Sequence, residues 1–484
     1  MKQGRSITDH EKREAGTMLP RLRVWSGRLL LVSVAPIISF GSRFARNVIL
    51  SHLLAPGEFG TAVAITVVIG LGSVVTDVAL DRFVMLNNSA QALSAAHLIS
   101  VVRGVLVALV LAAAAPALAA LFGVPNASES FAIAGCLSAI SGLAHLRIKQ
   151  VQVNYDYSAE AIAQFAASMV AVLVLFPAAN TVQDHRAIVI SYAAEIGIYV
   201  ILSHFLARST YQVRPELPLL RNALSFGLPL VLNGMGLAII YQLDRTLVGH
   251  WFGVRELASY AVILSVSVVP VSLILAIFQN MGLSYLLSGI VDLSVRPERY
   301  QLLIGFYALL GTLYTFWMAI TLDILAPLIF GASFTVSPTL HVLFIVIACL
   351  RLQRGAPTTL LLAKGRTRLL ASLNLSAGFG LLAACAGISM WPRVETIVFG
   401  IAFGELIAFT LSLALSDNLI RHRTKLPADL FRTLVAPAFI ISILASNPEL
   451  TWKSRTTVLY SGLLVIGVQL ILELYRNKRP LFEA

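Results

Sequence analysis

Long apolar stretches alternate with short polar ones from Leu29 to the end of the chain. A helix needs about 20 apolar residues to cross the hydrocarbon of a bilayer, and the chain supplies runs of that order again and again. The first begins at Leu29 and closes at Leu54, and others follow at Phe59 to Leu80, Ala92 to Phe122 and onward. The pattern predicts an all-α polytopic membrane protein of about fourteen spans, the last two at 433–445 and 458–474.

Polar interruptions divide these spans. Residues 1–28 form a tail with seven Lys or Arg, 29–206 hold six spans, and 207–222 form a linker carrying Arg208, Arg214 and Arg221. Six more spans occupy 223–417, and 418–484 hold two additional helices and the C-terminus. With the first tail inside, 27 of the 36 Lys and Arg fall in cytoplasmic segments, Arg351 and Arg354 among them, which predicts cytoplasmic termini at both ends. The opening apolar run continues for about 25 residues, too long for a cleavable signal.

A faint internal repeat crosses the linker. LSHLLAPGEFG at 50–60 aligns with VGHWFGVRELA at 248–258, placing His52 on His250 and Glu58 on Glu256 at an offset of 198. An even number of spans per half makes such a repeat parallel. Both histidines are expected to be solvated at the membrane surface. Prolines at 36, 116, 229, 270 and 327 interrupt the apolar runs and predict kinks.

Composition agrees with the class. The chain is 57% hydrophobic and 12% charged, against about 25% charged in soluble domains. Its net charge of +12 sits in alternating loops as a topology signal, so no nucleic-acid partner is expected. Cys136, Cys349 and Cys385 lie in apolar runs without metal-ligand spacing and read as small core residues. No phosphate-binding GxxxxGK[ST] loop, HExxH pair or GxSxG elbow is present, and no loop is long enough for an enzyme domain. No cofactor is expected.

Charges inside spans are the candidate chemistry, because each costs roughly 2.5–3.5 kcal/mol on insertion scales and should face a bundle interior or a wet cavity. Arg43 and Arg46 are three residues apart and share a helical face. Arg43 sits about 16 Å from the outer end of its span at 1.5 Å per residue, and Arg103 reaches similar depth on the third span. The bland alternative has the arginines snorkelling to the interface. Asp244 and Arg245 face a cavity or form a local ion pair. Asp77, Glu195, Asp323 and Glu405 are candidates for coupling to protons or sodium.

The first hairpin, RNVILSHLLAPGEFGTAVAI, resembles the polysaccharide transporter family, the Wzx-type flippases for lipid-linked oligosaccharides, within the superfamily that includes multidrug extrusion transporters and lipid II flippases. Ala55 departs from it, standing where the family commonly has glycine. The resemblance implies two six-helix bundles around a central cavity that opens alternately to each side. It further implies export of undecaprenyl-diphosphate-linked repeat units for exopolysaccharide or O-antigen synthesis at a bacterial inner membrane. A polysaccharide polymerase and a chain-length regulator would be partners. On this reading Arg43, Arg46 and Arg103 bind the diphosphate, Asp244 and Arg245 contact sugars, and the protein is not an enzyme. The alternatives are a drug exporter of the same superfamily, a lipid II flippase and a membrane polymerase. Arginines in the first span argue against the exporter, and short outer loops against the polymerase.

Overall fold

The first hairpin builds the middle of the molecule. Helix α1 (37–53) ends at a turn through Ala55, and α2 (Pro56–Val75) starts on Pro56, whose missing N–H suits a first helical position. Glu58 ties this turn to the loop before α8, accepting bonds from the His185 backbone N–H at 3.1 Å and ring Nδ1 at 2.7 Å. The computed structural model describes residues 37–75, 78–154, 156–213, 216–287 and 297–419. Asp77, Pro36 and the two C-terminal spans expected from the sequence lie outside them.

After α3 (Leu80–Leu86) come α4 (Ala90–Leu121), α5 (Ser128–Ser141), the short α6 (Arg147–Gln150), α7 (Ser158–Val182) and α8 (Arg186–Ala207). These form a first half. The second holds α9 (Leu217–Ser267), α10 (Val269–Leu287), α11 (Pro297–Phe330), α12 (Pro338–Gln353), α13 (Gly355–Ala363), α14 (Thr367–Ser376), α15 (Gly378–Ile388) and α16 (Val394–Leu419). Helix α9 is two helices merged across Gly253, whose φ of 82° breaks it where the repeat places a turn. No strand occurs among the described residues.

Nine of the described helical stretches are long and apolar enough to span a bilayer. Their outward faces agree: Val102, Leu106, Leu109 and Val110 on α4 form an exposed apolar stripe that lipid, not water, would cover. The all-α polytopic architecture expected from the sequence is what the chain adopts.

Packing follows small residues. Helix α4 lies on α5, α7 on α8, α11 on α12, and α15 on α16. Between α15 and α16, a Cβ at Gly380 would lie 2.4 Å from the Gly400 carbonyl, so only glycine permits that approach. Across the halves, α2 packs on α9, and a Cβ at Gly60 would sit 1.7 Å from the Val254 carbonyl.

The buried core is distributed unevenly along the molecule. At the end bearing the α1–α2 turn, one core joins both halves, with Leu50, Leu54, Phe59 and Phe122 meeting Val248, Leu257, Phe330 and Phe334. Toward the far end it separates. One cluster gathers Leu80, Phe83, Leu93 and Ala223, and another Leu286, Tyr300, Tyr307 and Leu360. A cavity occupies the space between the halves on that side.

Candidate functional site: a charged cavity between the two halves

The cavity has a volume of about 550 Å³, within the roughly 300–1,000 Å³ range of small-molecule sites. Helices α1, α2, α8 and α9 line most of it, with two residues from α10 and single residues from α5, α7 and α12. Helix α1 is fixed in this wall by three bonds. Ser42 Oγ donates to the Ser168 carbonyl on α7 at 3.3 Å, Asn47 donates to Ser265 Oγ on α9 at 3.2 Å, and Arg46 reaches α8.

Arg46 is almost fully buried. Its Nη1 lies 2.7 Å from Glu195 Oε2, and its guanidinium sits 4.3 Å from the centre of the Tyr192 ring. A permanent cation in a low-dielectric wall is thus matched by a carboxylate and a π-face. Arg43, one turn nearer the far end, is exposed to the cavity and rests against Phe40 at 5.4 Å. The shared face expected of these two arginines is therefore a cavity face.

On the opposite wall, Asp244 accepts a bond from the Tyr260 hydroxyl at 2.7 Å and one from the Arg245 backbone N–H at 2.7 Å. The Arg245 side chain turns instead to Gln242 Oε1, at 2.9 Å. Both Asp244 and Arg245 line the cavity. These bonds give Asp244 a hydroxyl partner and Arg245 an amide partner, in place of the local ion pair that was one sequence alternative.

Arg351 is the residue that sequence reasoning missed. Counted there as a loop cation, it belongs to the last turn of α12 and faces the cavity. Its Nε donates to Glu405 Oε1 on α16 at 2.6 Å, while Arg354 Nη1 lies 3.3 Å from the other carboxylate oxygen. Glu405 is 2% exposed and does not reach the cavity. The legible signal was a basic pair at i and i+3 at the end of an apolar run, the spacing that lets both side chains address one acid.

Glu195 and Glu405, both coupling candidates, are thus bound to arginines. Arg103 on α4 and Asp323 on α11 are half-buried and lie off the cavity. Of the nine predicted site residues, the cavity gathers Arg43, Arg46, Glu195, Asp244 and Arg245. Among the described residues no cluster has metal-ligand composition.

The charge balance follows. Four arginines and two carboxylates line the cavity, a net charge of +2 among the described residues. Eight neutral Ser, Thr, Asn and Gln side chains, including Asn47, Thr66, Gln164 and Ser272, share the lining. The arrangement offers fixed guanidinium forks to an anion and hydroxyl-scale hydrogen bonding to a polar head group.

Residues 49–338 match the family model described as polysaccharide biosynthesis protein. The chain belongs to that family. Among solved structures, it is similar to the lipid II flippase MurJ in an inward closed conformation, at 11% identity and a TM-score of 0.68, covering 93% of this chain and 99% of that one. It is also similar to an inward-facing multidrug resistance MATE family transporter of the MOP superfamily, at 16% identity and a TM-score of 0.59, covering 78% and 94%. A point mutant of the Vibrio cholerae MATE transporter VcmN follows at 14% identity and a TM-score of 0.56, covering 82% and 96%. At these identities the likeness establishes a shared fold. No curated protein matches the chain.

Proposed function

We propose that this protein is a flippase that moves undecaprenyl-diphosphate-linked oligosaccharide repeat units across a bacterial inner membrane, with both termini cytoplasmic and no enzymatic step. The observation that carries the reading is the net +2 charge of a cavity whose remaining lining mixes hydroxyl and amide groups with apolar side chains. A lipid diphosphate diester brings two negative charges attached to a sugar rich in hydroxyls, and neither can cross bare hydrocarbon. Arg43 stands exposed to take the phosphates, Arg46 is held ready by Glu195, and Arg245 and Arg351 face them from the other half. The lipid tail would stay in the bilayer. Family membership and fold support the reading at the level of polysaccharide synthesis and transport.

Export of cationic drugs by a member of the same superfamily is the competing reading. It calls for an acidic cavity, and the excess of arginine disfavours it. A polymerase would call for a large outer loop carrying catalytic acids or arginines, and the short outer loops disfavour it.

The test is the lipid-linked sugar pool of a strain lacking the protein, with the leaflet of any accumulated species read by a membrane-impermeant probe. Complete repeat units are expected to accumulate on the cytoplasmic side. Restoring the wild-type gene should clear them, whereas Arg43→Gln/Arg46→Gln protein present at normal level should leave transport at least 10-fold slower. A normal pool in the deletion strain, or full complementation by the double variant, would overturn the proposal.

A further inference from the structure

The sequence repeat around His52 and His250 plays no part in the cavity, yet the structure gives both histidines the same unusual bond. His52, near the end of α1, places Nε2 2.9 Å from the Ile329 carbonyl at the end of α11. His250, just before the kink of α9, places Nδ1 2.8 Å from the Leu121 carbonyl at the end of α4. Each ring donates to a carbonyl in a final helical turn, one of those a helix leaves without an internal partner, at the negative end of the helix dipole.

The acceptors repeat as well. Leu121-Phe122-Gly123 and Ile329-Phe330-Gly331 stand 208 residues apart, and both glycines take positive φ, 69° and 104°, to end their helices. The halves also pack on each other beside both bonds. A Cβ at Gly249 would strike the Phe122 ring at 2.5 Å, and one at Gly331 would come 3.8 Å from the His52 ring. Each histidine belongs to one half and its carbonyl to the other.

We propose that His52 and His250 are paired latches that hold the two halves together at the turn end. Bonds within a half survive any movement between halves, whereas these two must break for the cavity to open on the turn side. They are also exposed, so each is weak: losing one bond shifts a two-state equilibrium by roughly 2- to 12-fold. Such strength suits contacts that re-form in every cycle. This inference assumes that the cavity opens alternately, but it is tested without substrate, so its fate is separable from that of the flippase reading.

Spin labels on Asn126→Cys and Ser333→Cys, exposed sites in the loops after α4 and α11, report the separation of the halves at the turn end. The full chain, with Cys136, Cys349 and Cys385 replaced by alanine, is measured in lipid nanodiscs by double electron–electron resonance. A short distance should dominate in the parent. His52→Ala and His250→Ala should each raise the ratio of long to short distances by roughly 2- to 12-fold, and together by about the product.

Amide variants refine the test, since Gln places a nitrogen near the Nε2 position and Asn near Nδ1. His52→Gln and His250→Asn should restore the parent ratio, while His52→Asn and His250→Gln should not. An unchanged ratio in a monodisperse double-alanine variant would overturn the proposal. If the alanine variants do not fold, equal ratios across the four amide variants would overturn it.

Discussion

Position 46 on α1 and position 244 on α9 are related by the same offset of 198 that brings His52 onto His250, yet one is arginine and the other aspartate. In the first half a buried arginine on the leading helix is neutralised by Glu195 on α8. In the second half the leading helix carries the acid, held by the Tyr260 hydroxyl, and Glu405 on α16 pairs with arginines of α12. At the turn end, by contrast, the halves carry the same histidine, the same Phe-Gly helix stop and the same crossing bond. The repeat preserves the pair of crossing bonds at the turn end and abandons the charges that face the cavity. An asymmetric ligand, charged at one end and sugar-like at the other, needs two unlike walls.

The sharpest way to break this comparison is to remove the two acids in turn. Glu405 serves two arginines at once, so Glu405→Gln leaves two cations without their carboxylate, and the loss of stability should be about 3–5 kcal/mol. Glu195, 16% exposed beside the cavity, serves one arginine only, and Arg46 keeps the π-face of Tyr192 when the carboxylate is gone. Glu195→Gln should therefore lose less, about 1–2 kcal/mol. Denaturation in mixed micelles measures both. Equal losses would mean that the two pairs are alike despite their different placement.

A smaller effect separates the two tyrosines. Tyr260 holds Asp244 through its hydroxyl, and a hydrogen bond to a charged group contributes roughly 1.5–3 kcal/mol, the loss expected for Tyr260→Phe. Tyr192 meets Arg46 through its ring, so Tyr192→Phe should leave stability within about 0.5 kcal/mol of wild type. Reversed sensitivities in the same denaturation assay would contradict this assignment of acid-holding and cation-holding roles.

Much of this was legible in the chain because lipid imposes its demands locally. Apolar length gave the spans, and Arg43 and Arg46 three residues apart gave the cavity face of α1. Glu195 was recognisable as an intramembrane acid, but its partner lies 149 positions away in sequence and only tertiary packing joins them. Arg351 failed for a different reason. Charge at the end of an apolar run looks like a loop anchor, and nothing local distinguishes a side chain that turns inward to a buried acid from one that turns to the interface. The two histidines are exposed, as expected, but their crossing bonds were illegible because the acceptors are backbone carbonyls, which carry no sequence signature. Arg103 shares the depth of Arg43 but lies on a helix with an exposed apolar face, and depth alone does not specify azimuth.

The halves differ again at the far end. Only the first half, among the described residues, places histidines there: His97, His145 and His204 cluster with Tyr211 around the start of the linker, His97 stacked on the Tyr211 ring and the other pairs edge-on or tilted, with ring centres 4.2–5.4 Å apart. His145 lies between helices, its Nδ1 accepts the Arg147 N–H at 3.2 Å, and its Nε2 lies 3.4 Å from Ser209 Oγ. Burial lowers its pKa from the ordinary 6.5, and the nearby His204 and Arg147 lower it further against the opposing pull of the Ser209 backbone. Above about pH 7 the ring is neutral in both folded and unfolded chains, and its contribution is complete. As pH falls through 6.5 the unfolded chain takes up a proton that the folded cluster refuses, so stability declines until the lowered folded pKa is passed. The slope is at most about 1.4 kcal/mol per pH unit. Melting temperatures between pH 7.5 and about 5 should therefore fall more steeply for the wild type than for His145→Gln. Parallel curves would show that His145 is solvated in the folded protein and that the linker is held without it.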